Sequence, residues 1–344
     1  MNPLTTHLYE SWYQAVANDL LMSEFEATFD DESNNSKWNK GDKIIYGIRL
    51  IESKLSYYAI NQTQARVISG EVKEKFINTQ KATNFICQFN SYRALRPGGK
   101  RRQLGRQPDI SGEASDCRFF CQDSSQPLSL LNRKPLAQVS LKHFVWNAYH
   151  NVAPLEKKGH FLWIPIQKNL SSNNIPHFPQ ILSLEFLEDM VYLFQKLDKT
   201  ILFFNSLHAG ASVNHIHFQS VYHEQTLPVE IAPTTSKKSW SLLDYYPFGG
   251  LVFPKNSNVN PILQWVTYFN QNKIPFNLAM LGKRIILVPR NSEHEIVSEF
   301  PGDSIATLGI CGKLFTIDRK TYKNINSEKI ESAFQKMILP TRNL

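Results

Sequence analysis

The clearest alternation of polar and apolar side chains lies in the middle of the chain. Residues 201–204 form a short β-branched and aromatic run, which predicts a buried strand. Further on, His215, His217 and Gln219 alternate with apolar side chains, and side chains two apart on a strand share a face. Between the two runs, residues 209–212 are small, and such loops let backbone N–H groups approach an anion closely. The pattern predicts a polar strand face next to an anion-binding loop.

Hydrophobic residues recur at helical spacing in three other places. This period predicts amphipathic helices over residues 8–28 and 179–199 and a short terminal helix over residues 328–338. Residues 144–164 are predicted to form two strands joined by a turn, with His160 as an ordinary residue at the start of the second. The resulting order, β–β–α–β–loop–β, predicts an α+β fold in which helices flank an antiparallel sheet.

The last third of the chain resembles a weaker copy of the middle. Residues 246–253 are predicted to be a turn leading into a strand, residues 260–269 a helix and residues 275–290 a hairpin. The His-X-His pattern is missing from this copy.

Composition and charge narrow the class of protein only in part. The chain has 344 residues, 42% of them hydrophobic, and no apolar run approaches the length of a membrane span. The N-terminus lacks the basic and apolar regions of a secretory signal, which favours the cytoplasm. The net charge of +8 suits a nucleic-acid-binding protein, but it equally suits an enzyme that attracts nucleotide anions.

The cysteines and histidines do not decide whether the chain binds a metal. Four cysteines are too few for a disulfide scaffold in a chain of this length. Cys117 and Cys121, separated by three residues, are either zinc ligands or two buried thiols. A metal at the His-X-His pattern would need a third ligand such as His208 or His223.

A basic segment follows a predicted strand that begins near residue 84. Residues 96–106 place a Gly-Gly turn among Lys and Arg side chains. Such a segment either holds phosphates or is a solvated loop.

Residues 205–219 carry Asn-Ser at their start, Gly-Ala-Ser in the middle and Asn-His-Ile-His-Phe-Gln at their end. This run resembles the active-site signature of the histidine-triad superfamily, and of its transferase branch, in which Gln replaces the third His. That branch includes galactose-1-phosphate uridylyltransferase, diadenosine tetraphosphate phosphorylase and the GDP-hexose phosphorylases. The resemblance is greatest to the GDP-L-galactose and GDP-D-glucose phosphorylases and their uncharacterised bacterial relatives.

The resemblance implies a fold of two fused half-folds. Residues 81–232 would form the catalytic, histidine-triad-like half, and residues 233–344 a degenerate second half that completes the same domain. Residues 1–80, a helical and mixed segment, are not explained by the resemblance.

The resemblance also assigns roles to the residues of the signature. His217 would be the nucleophile, His215 would shape the site, and Gln219 would bind the phosphoryl oxygen of the intermediate. No cofactor and no metal are expected, because basic side chains and backbone dipoles can neutralise the phosphates. The expected substrate-binding residues are Asn205, Gly210, Ala211, Ser212, Asn214, Asn151, Asn90 and Arg93.

The expected function is that of a cytoplasmic nucleotidyltransferase of the phosphorylase type (EC 2.7.7). Its donor would be a nucleoside diphosphate sugar, with GDP-hexose favoured, and its acceptor phosphate or a sugar phosphate. A neutral Gln219 favours this reaction, since a sugar phosphate leaves as a stable anion and needs no proton. One alternative is a dinucleoside polyphosphate phosphorylase, and another is a nucleotide- or RNA-binding protein without turnover. We expect no membrane and no nucleic-acid partner, and a homodimer stays open.

Overall fold

The computed structural model describes residues 2–27, 30, 37–80, 84–95, 112–126, 129–168, 175–244, 246–300 and 305–341. The basic segment at residues 96–106 lies outside these ranges. The described helices are α1 (Pro3–Ala17), α2 (Leu184–Gln195), α3 (Pro228–Ile231), α4 (Val259–Gln271), α5 (Thr307–Cys311), α6 (Arg319–Asn324) and α7 (Ser327–Met337). In the part of the chain that the structure describes, we find no helix with the length and apolar character needed to cross a bilayer.

The strands are distributed along the whole chain and form three sheets. They are β1 (Met22–Glu26), β2 (Lys43–Ile51), β3 (Lys54–Asn61), β4 (Arg66–Val67), β5 (Val72–Ile77), β6 (Phe85–Asn90), β7 (Ala137–Ser140), β8 (Val145–His150), β9 (His160–Ile166), β10 (Thr200–Asn205), β11 (Phe218–Tyr222), β12 (Thr234–Ser236), β13 (Ser241–Leu243), β14 (Leu251–Pro254), β15 (Phe276–Leu281), β16 (Arg284–Pro289) and β17 (Lys313–Thr316).

The largest sheet has ten strands in the order β12-β13-β14-β16-β15-β10-β11-β9-β8-β7. All of its neighbouring strands are antiparallel, and β10 pairs with β15 at its centre. On one side of that pair the strands run β7-β8-β9-β11-β10, and on the other β12-β13-β14-β16-β15. In the chain, α2 lies between β9 and β10, and α4 lies between β14 and β15, so each helix precedes the last two strands of its run. The mixed α+β architecture predicted from the sequence is confirmed.

The two faces of this sheet are buried by different elements. On one face, Trp163, Phe204 and Phe218 pack in a hydrophobic core with side chains of α1, α2 and α4. On the other face, Val221, Ile201 and neighbouring apolar residues pack with β6, α5 and α7. His217 and Gln219 alternate with Phe218, so they belong to this second face.

Two smaller sheets complete the fold. Strands β1 to β4 form one in chain order, and β17, β6 and β5 form the other, with β17 parallel to β6. Because Phe85 and Leu314 pack in the same core as Val221, the second small sheet lies over the histidine-bearing face of the large one.

The helix predicted over residues 8–28 is wrong in both of its limits. Asn2 caps α1 by accepting the N–H of Leu4 at 3.0 Å, so the helix begins earlier than predicted. It ends at Ala17, and Asp19 then takes a positive φ of 55°. The apolar residues that follow belong to β1, which pairs with β2. A helical period and a short strand were therefore merged in the prediction.

The other predicted helices and the last hairpin are confirmed with small changes in their bounds. α2 begins at Leu184, because the Ser183 hydroxyl accepts the N–H of Phe186 and caps it. α4, α7 and the hairpin of β15 and β16 lie where the sequence predicts them.

Candidate functional site

His217 lies immediately before β11 and is 4% exposed. Its Nδ1–H donates to the backbone carbonyl of His215 at 2.7 Å, which leaves the lone pair on Nε2. Burial lowers the pKa of His217 to about 4, although the bond to that carbonyl opposes the shift. Gln180 fixes the backbone here, because its Oε1 accepts the His217 N–H at 2.9 Å. The result is a neutral imidazole with one nitrogen available for attack.

Gln219 is oriented by a residue that the sequence analysis treated as ordinary. The N–H of Leu155 donates to Nδ1 of His160 at 2.9 Å, so the His160 proton is on Nε2. That proton is donated to Oε1 of Gln219 at 3.0 Å. Burial lowers the pKa of His160 to about 3 and keeps the ring neutral. The prediction for His160 was wrong; the signal for its role was its place at the start of the strand that pairs with β11.

Asn205 holds the loop that follows β10. Its Oδ1 accepts bonds from Asn277 Nδ2 at 2.7 Å and from Thr307 Oγ1 at 2.5 Å. Asn277 Nδ2 also donates to the carbonyl of Ala209 at 2.7 Å, and Asn277 Oδ1 accepts from Arg290 Nη1 at 2.6 Å. These three partners come from β15, from the end of β16 and from α5, and the sequence signature contains none of them.

The small-residue loop is partly occupied by bonds within the chain. The N–H of Gly210 donates to Oε1 of Glu295 at 3.0 Å, and the N–H of Ala211 donates to the carbonyl of Ser206 at 3.3 Å. Gly210 has φ 103°, and a Cβ there would lie 2.6 Å from Cβ of Ala306, so only glycine fits. The hydroxyl of Ser212, which is half-buried, has no hydrogen-bond partner among the described residues. An anion at this loop would therefore meet Ser212 directly, and Gly210 only after Glu295 had moved.

The remaining predicted substrate residues lie around this centre. Asn214 accepts the N–H of Gln180 at 2.8 Å, and Gln180 in turn holds His217. Asn151 lies with its Nδ2 at 3.3 Å from Nε2 of His160, while Arg93 donates to the carbonyl of Ala153 at 3.3 Å.

Asn90 is fully buried at the end of β6, where its Oδ1 accepts the N–H of Tyr92 at 3.1 Å. The structure thus brings His215, His217 and Gln219 to one centre. The contacts of Asn205 and Asn214 position backbone there, and substrate contact by these residues stays a prediction.

A candidate metal centre lies beside His217. The ligand atoms of Cys117, Cys121, His177 and His215 all lie within 4.8 Å of one another. Cys117 Sγ is 3.5 Å from His215 Nδ1, and Cys121 Sγ is 3.5 Å from His177 Nδ1. Tetrahedral zinc, with Zn–S of about 2.3 Å and Zn–N of about 2.0 Å, places S and N about 3.5 Å apart. The donor set and its spacing therefore fit zinc.

Two further contacts support this fit. His177 Nε2 donates to the carbonyl of Gly112 at 3.0 Å, a bond that metal-bound histidines usually make. The hydrogen bond from Cys121 lowers the pKa of Cys117, burial opposes this, and His215 lowers it further. The expectation of no metal did not anticipate this cluster, although zinc at Cys117 and Cys121 was left open. Neither third ligand considered for the His-X-His pattern, His208 or His223, belongs to the cluster, and His223 pairs with Glu230 at 2.7 Å.

The chain is similar to several known proteins. A family profile described as "GDPGP1-like, C-terminal domain" matches residues 213–343. GDP-L-galactose phosphorylase 2 of Arabidopsis thaliana is 31% identical over 152 residues, which cover 41% of this chain and 34% of that protein. GDP-D-glucose phosphorylase 1 of Danio rerio is 25% identical over 223 residues, which cover 55% of this chain and 60% of that protein. The match thus spans only about a third of the plant relative's length.

Solved structures give a fold-level match. Yeast Ap4A phosphorylase in complex with AMP has a TM-score of 0.54 at 14% identity, covering 79% of this chain and 90% of that chain. The same enzyme in complex with Ap4A has a TM-score of 0.54 at 14% identity. These matches confirm the mixed α+β fold and the similarity to GDP-hexose phosphorylases.

Proposed function

We propose that this chain is a nucleotidyl-transferring phosphorylase that acts on a nucleoside diphosphate hexose, with GDP-hexose as the favoured donor. The observation that carries the proposal is the state of His217, whose Nδ1–H is bound to the His215 carbonyl and whose Nε2 has no hydrogen-bond partner among the residues that the structure describes. The similarity to GDP-L-galactose and GDP-D-glucose phosphorylases supports the choice of donor.

The proposed reaction has two in-line displacements at the α-phosphorus. In the first, His217 Nε2 attacks, a P–N bond forms, and the P–O bond to the hexose 1-phosphate breaks. In the second, an oxygen of inorganic phosphate attacks the same phosphorus and the P–N bond breaks. The nucleoside diphosphate leaves, and His217 recovers its lone pair. A sugar phosphate is the alternative acceptor.

Gln219 suits a reaction between phosphates. The hexose 1-phosphate leaves as a stable anion, so no acid is needed where a third histidine would stand. With its Oε1 held by His160, Gln219 has its amide N–H groups left to donate to a phosphoryl oxygen.

We also propose that the large sheet consists of two fused half-folds, residues 81–232 and 233–344. The repeated strand order, with a helix at the same place in each run, supports this division. The second half has no His-X-His, and its contribution would be Asn277, Arg290 and Thr307, which hold the loop at Asn205. The membership of the transferase branch, the cytoplasmic location and a homodimer stay predictions.

We propose that Cys117, Cys121, His177 and His215 hold a structural zinc ion. The chemistry of the site would not pass through it, because a tetrahedral Cys2His2 set leaves no open position for substrate. Bound there, the ion would fix His215, whose carbonyl holds the His217 proton, and the segment that places Phe119 edge-on to His217 at 5.2 Å.

The proposal is tested by phosphorolysis with labelled inorganic phosphate. Incubation with GDP-hexose should move label into GDP and release hexose 1-phosphate, and the His217→Asn variant should lose at least about 10⁴-fold of this activity. His7→Asn, at an exposed position of α1, is the matched control and should keep full activity. Label recovered in ADP from Ap4A, and not from any nucleotide sugar, would favour the dinucleoside polyphosphate alternative. RNA binding with steep salt dependence and no turnover would contradict the proposal.

A further inference from the structure

A cavity of about 540 Å³ opens on the histidine-bearing face of the large sheet, and Val221 of β11 is among the residues that line it. We call it the Glu156 pocket and define it by Tyr57, Gln88, Leu155, Glu156, Val221 and Phe315. Val221 is two residues beyond Gln219 on β11, so both side chains lie on the same face. Leu155 provides the N–H that holds His160, the partner of Gln219. The pocket therefore lies beyond Gln219 along β11, on the face that would bind the reacting phosphate.

One polar atom of the pocket lacks a partner. Gln88 is 5% exposed, and its Nε2 donates to Oε1 of Glu74 at 2.7 Å. Its Oε1 is buried and accepts no hydrogen bond from any residue that the structure describes. A buried acceptor without a donor is unfavourable, so such an atom commonly marks the place of a ligand or water. The missing partner must be a hydrogen-bond donor.

The charged lysine and glutamate side chains that line the pocket are equal in number: Lys157, Lys158 and Lys313 against Glu74, Glu156 and Glu224. Lys313 is held by Glu156 at 3.2 Å and Glu74 at 3.8 Å, and Lys158 is held by Glu224 at 2.9 Å. The lysines and glutamates therefore give the pocket no excess of positive charge that would attract a phosphate. The carboxylates and Gln88 offer acceptors to a neutral group with several O–H donors.

Aromatic and apolar side chains also line the pocket. The ring of Phe315 is half-buried, and Tyr57 is 6% exposed. Ile201 and Val221 are further apolar lining residues. Small-molecule sites combine such apolar walls with a few placed polar groups. A sugar ring presents apolar C–H groups on its faces and hydroxyl groups around its edge, and so matches both sides.

We propose that the Glu156 pocket binds the hexosyl ring of the donor, with its hydroxyl groups donating to Gln88 and Glu156. This inference rests on the proposed function, because it places the sugar of the nucleotide sugar next to the phosphate at Gln219.

The test compares two ligands in the His217→Asn background, where the donor is not consumed. Dissociation constants are measured by calorimetry for GDP-glucose and for GDP. Gln88→Leu keeps the size of the side chain and removes the acceptor, so we expect GDP-glucose to bind about tenfold more weakly and GDP to bind as before. Glu156→Gln, which keeps the size of the side chain and removes its charge, should act in the same direction. Gln14→Leu on the outer face of α1 is the matched control and should change neither constant.

The possible results separate the two proposals. Equal weakening of GDP and GDP-glucose would place the nucleotide in the pocket and overturn the inference, and so would no change for either ligand. If neither ligand binds and no phosphorolysis occurs, the proposed function fails. Saturation-transfer NMR with free glucose then decides on the pocket alone. Signals lost in Gln88→Leu support it, and the absence of signals in the unaltered chain overturns it.

Discussion

A backbone carbonyl, rather than a side chain, determines which ring nitrogen of the proposed nucleophile, His217, carries the proton. The His215 carbonyl lies 2.7 Å from Nδ1 of His217, and burial keeps the ring neutral. The N–H of Leu155 acts similarly on His160 of the neighbouring strand β9, where it places the ring proton on Nε2. Two neutral imidazoles with opposite tautomers result, one free to attack and one bound to Gln219.

The bond from His160 to Gln219 predicts a kinetic effect. His160→Phe keeps a ring of similar size and removes both nitrogens, so Gln219 loses the bond that orients its amide. We expect kcat to fall about 10- to 100-fold with little change in KM, because the amide is needed most when charge develops on phosphorus. Steady-state kinetics with GDP-hexose checks this, and His7→Phe, at an exposed position of α1, is the control. An unchanged kcat would show that Gln219 does not depend on His160.

Burial of His160 also predicts a pH dependence of stability. The folded chain lowers the pKa of His160 to about 3, below the 6.5 of an unfolded histidine, so the unfolded chain binds more protons between these values. The free energy of unfolding should therefore fall as pH falls below about 6.5, by up to about 1.4 kcal/mol per pH unit for this group. Urea unfolding at pH 7, 6 and 5 measures the slope, which should be smaller in His160→Phe. Equal slopes would contradict the assignment.

The elements around the site differ in how far the sequence predicts them. β10, α2 and the β15–β16 hairpin follow from apolar runs and period, because each is buried against the core. The strand predicted to carry His215, His217 and Gln219 begins only at Phe218, so both histidines precede β11. β1 was missed, because its five residues follow a helix whose apolar period they happen to continue. The loop at residues 205–212 was recognised, but not the acceptor that its Gly210 amide already has.

The contact between Glu295 and Gly210 predicts how the loop at residues 205–212 responds to the loss of a negative charge. The Glu295 carboxylate holds the Gly210 N–H at 3.0 Å, where an anion at the loop would otherwise bind. Glu295→Gln keeps the bond and removes the repulsion, so we expect KM for inorganic phosphate to fall about three- to tenfold. Initial rates over a range of phosphate concentrations measure it. Glu293→Gln, on the neighbouring exposed turn, is the control, and a rise in KM for phosphate in Glu295→Gln would contradict the argument.

At the scale of the whole molecule, the site is assembled from parts that are distant in the chain. Asn277 and Arg290 reach Asn205 from the far side of the β10–β15 pairing, and Cys117 meets His215 across 98 residues. No local pattern contains such partners, so the sequence identified the histidines but neither the complete candidate metal cluster nor the polar network that holds the loop. The cysteine pair was noticed, but His177 gave no signal as its partner.

The proposed zinc site predicts a property of the folded chain. Purified protein should contain about one zinc ion per chain, and a chelator should lower Tm by several degrees, because ion binding stabilises only the folded state. Cys117→Ser should lose the zinc, and Cys311→Ser, at a buried thiol outside the cluster, should retain it. Elemental analysis and thermal unfolding measure both effects. Protein without zinc, with a Tm that chelation leaves unchanged, would contradict the site.

The central claim is the proposed covalent nucleotidyl intermediate on His217, and intact-mass spectrometry tests it most directly. The chain is mixed with GDP-, UDP- and ADP-sugars and with Ap4A in the absence of phosphate, so that the second displacement cannot occur. We predict a mass gain of one nucleoside monophosphate, lost on addition of phosphate and missing in His217→Asn, and the size of the gain would identify the base. Turnover by the unaltered chain with no adduct, or an adduct that persists in His217→Asn, would contradict the account.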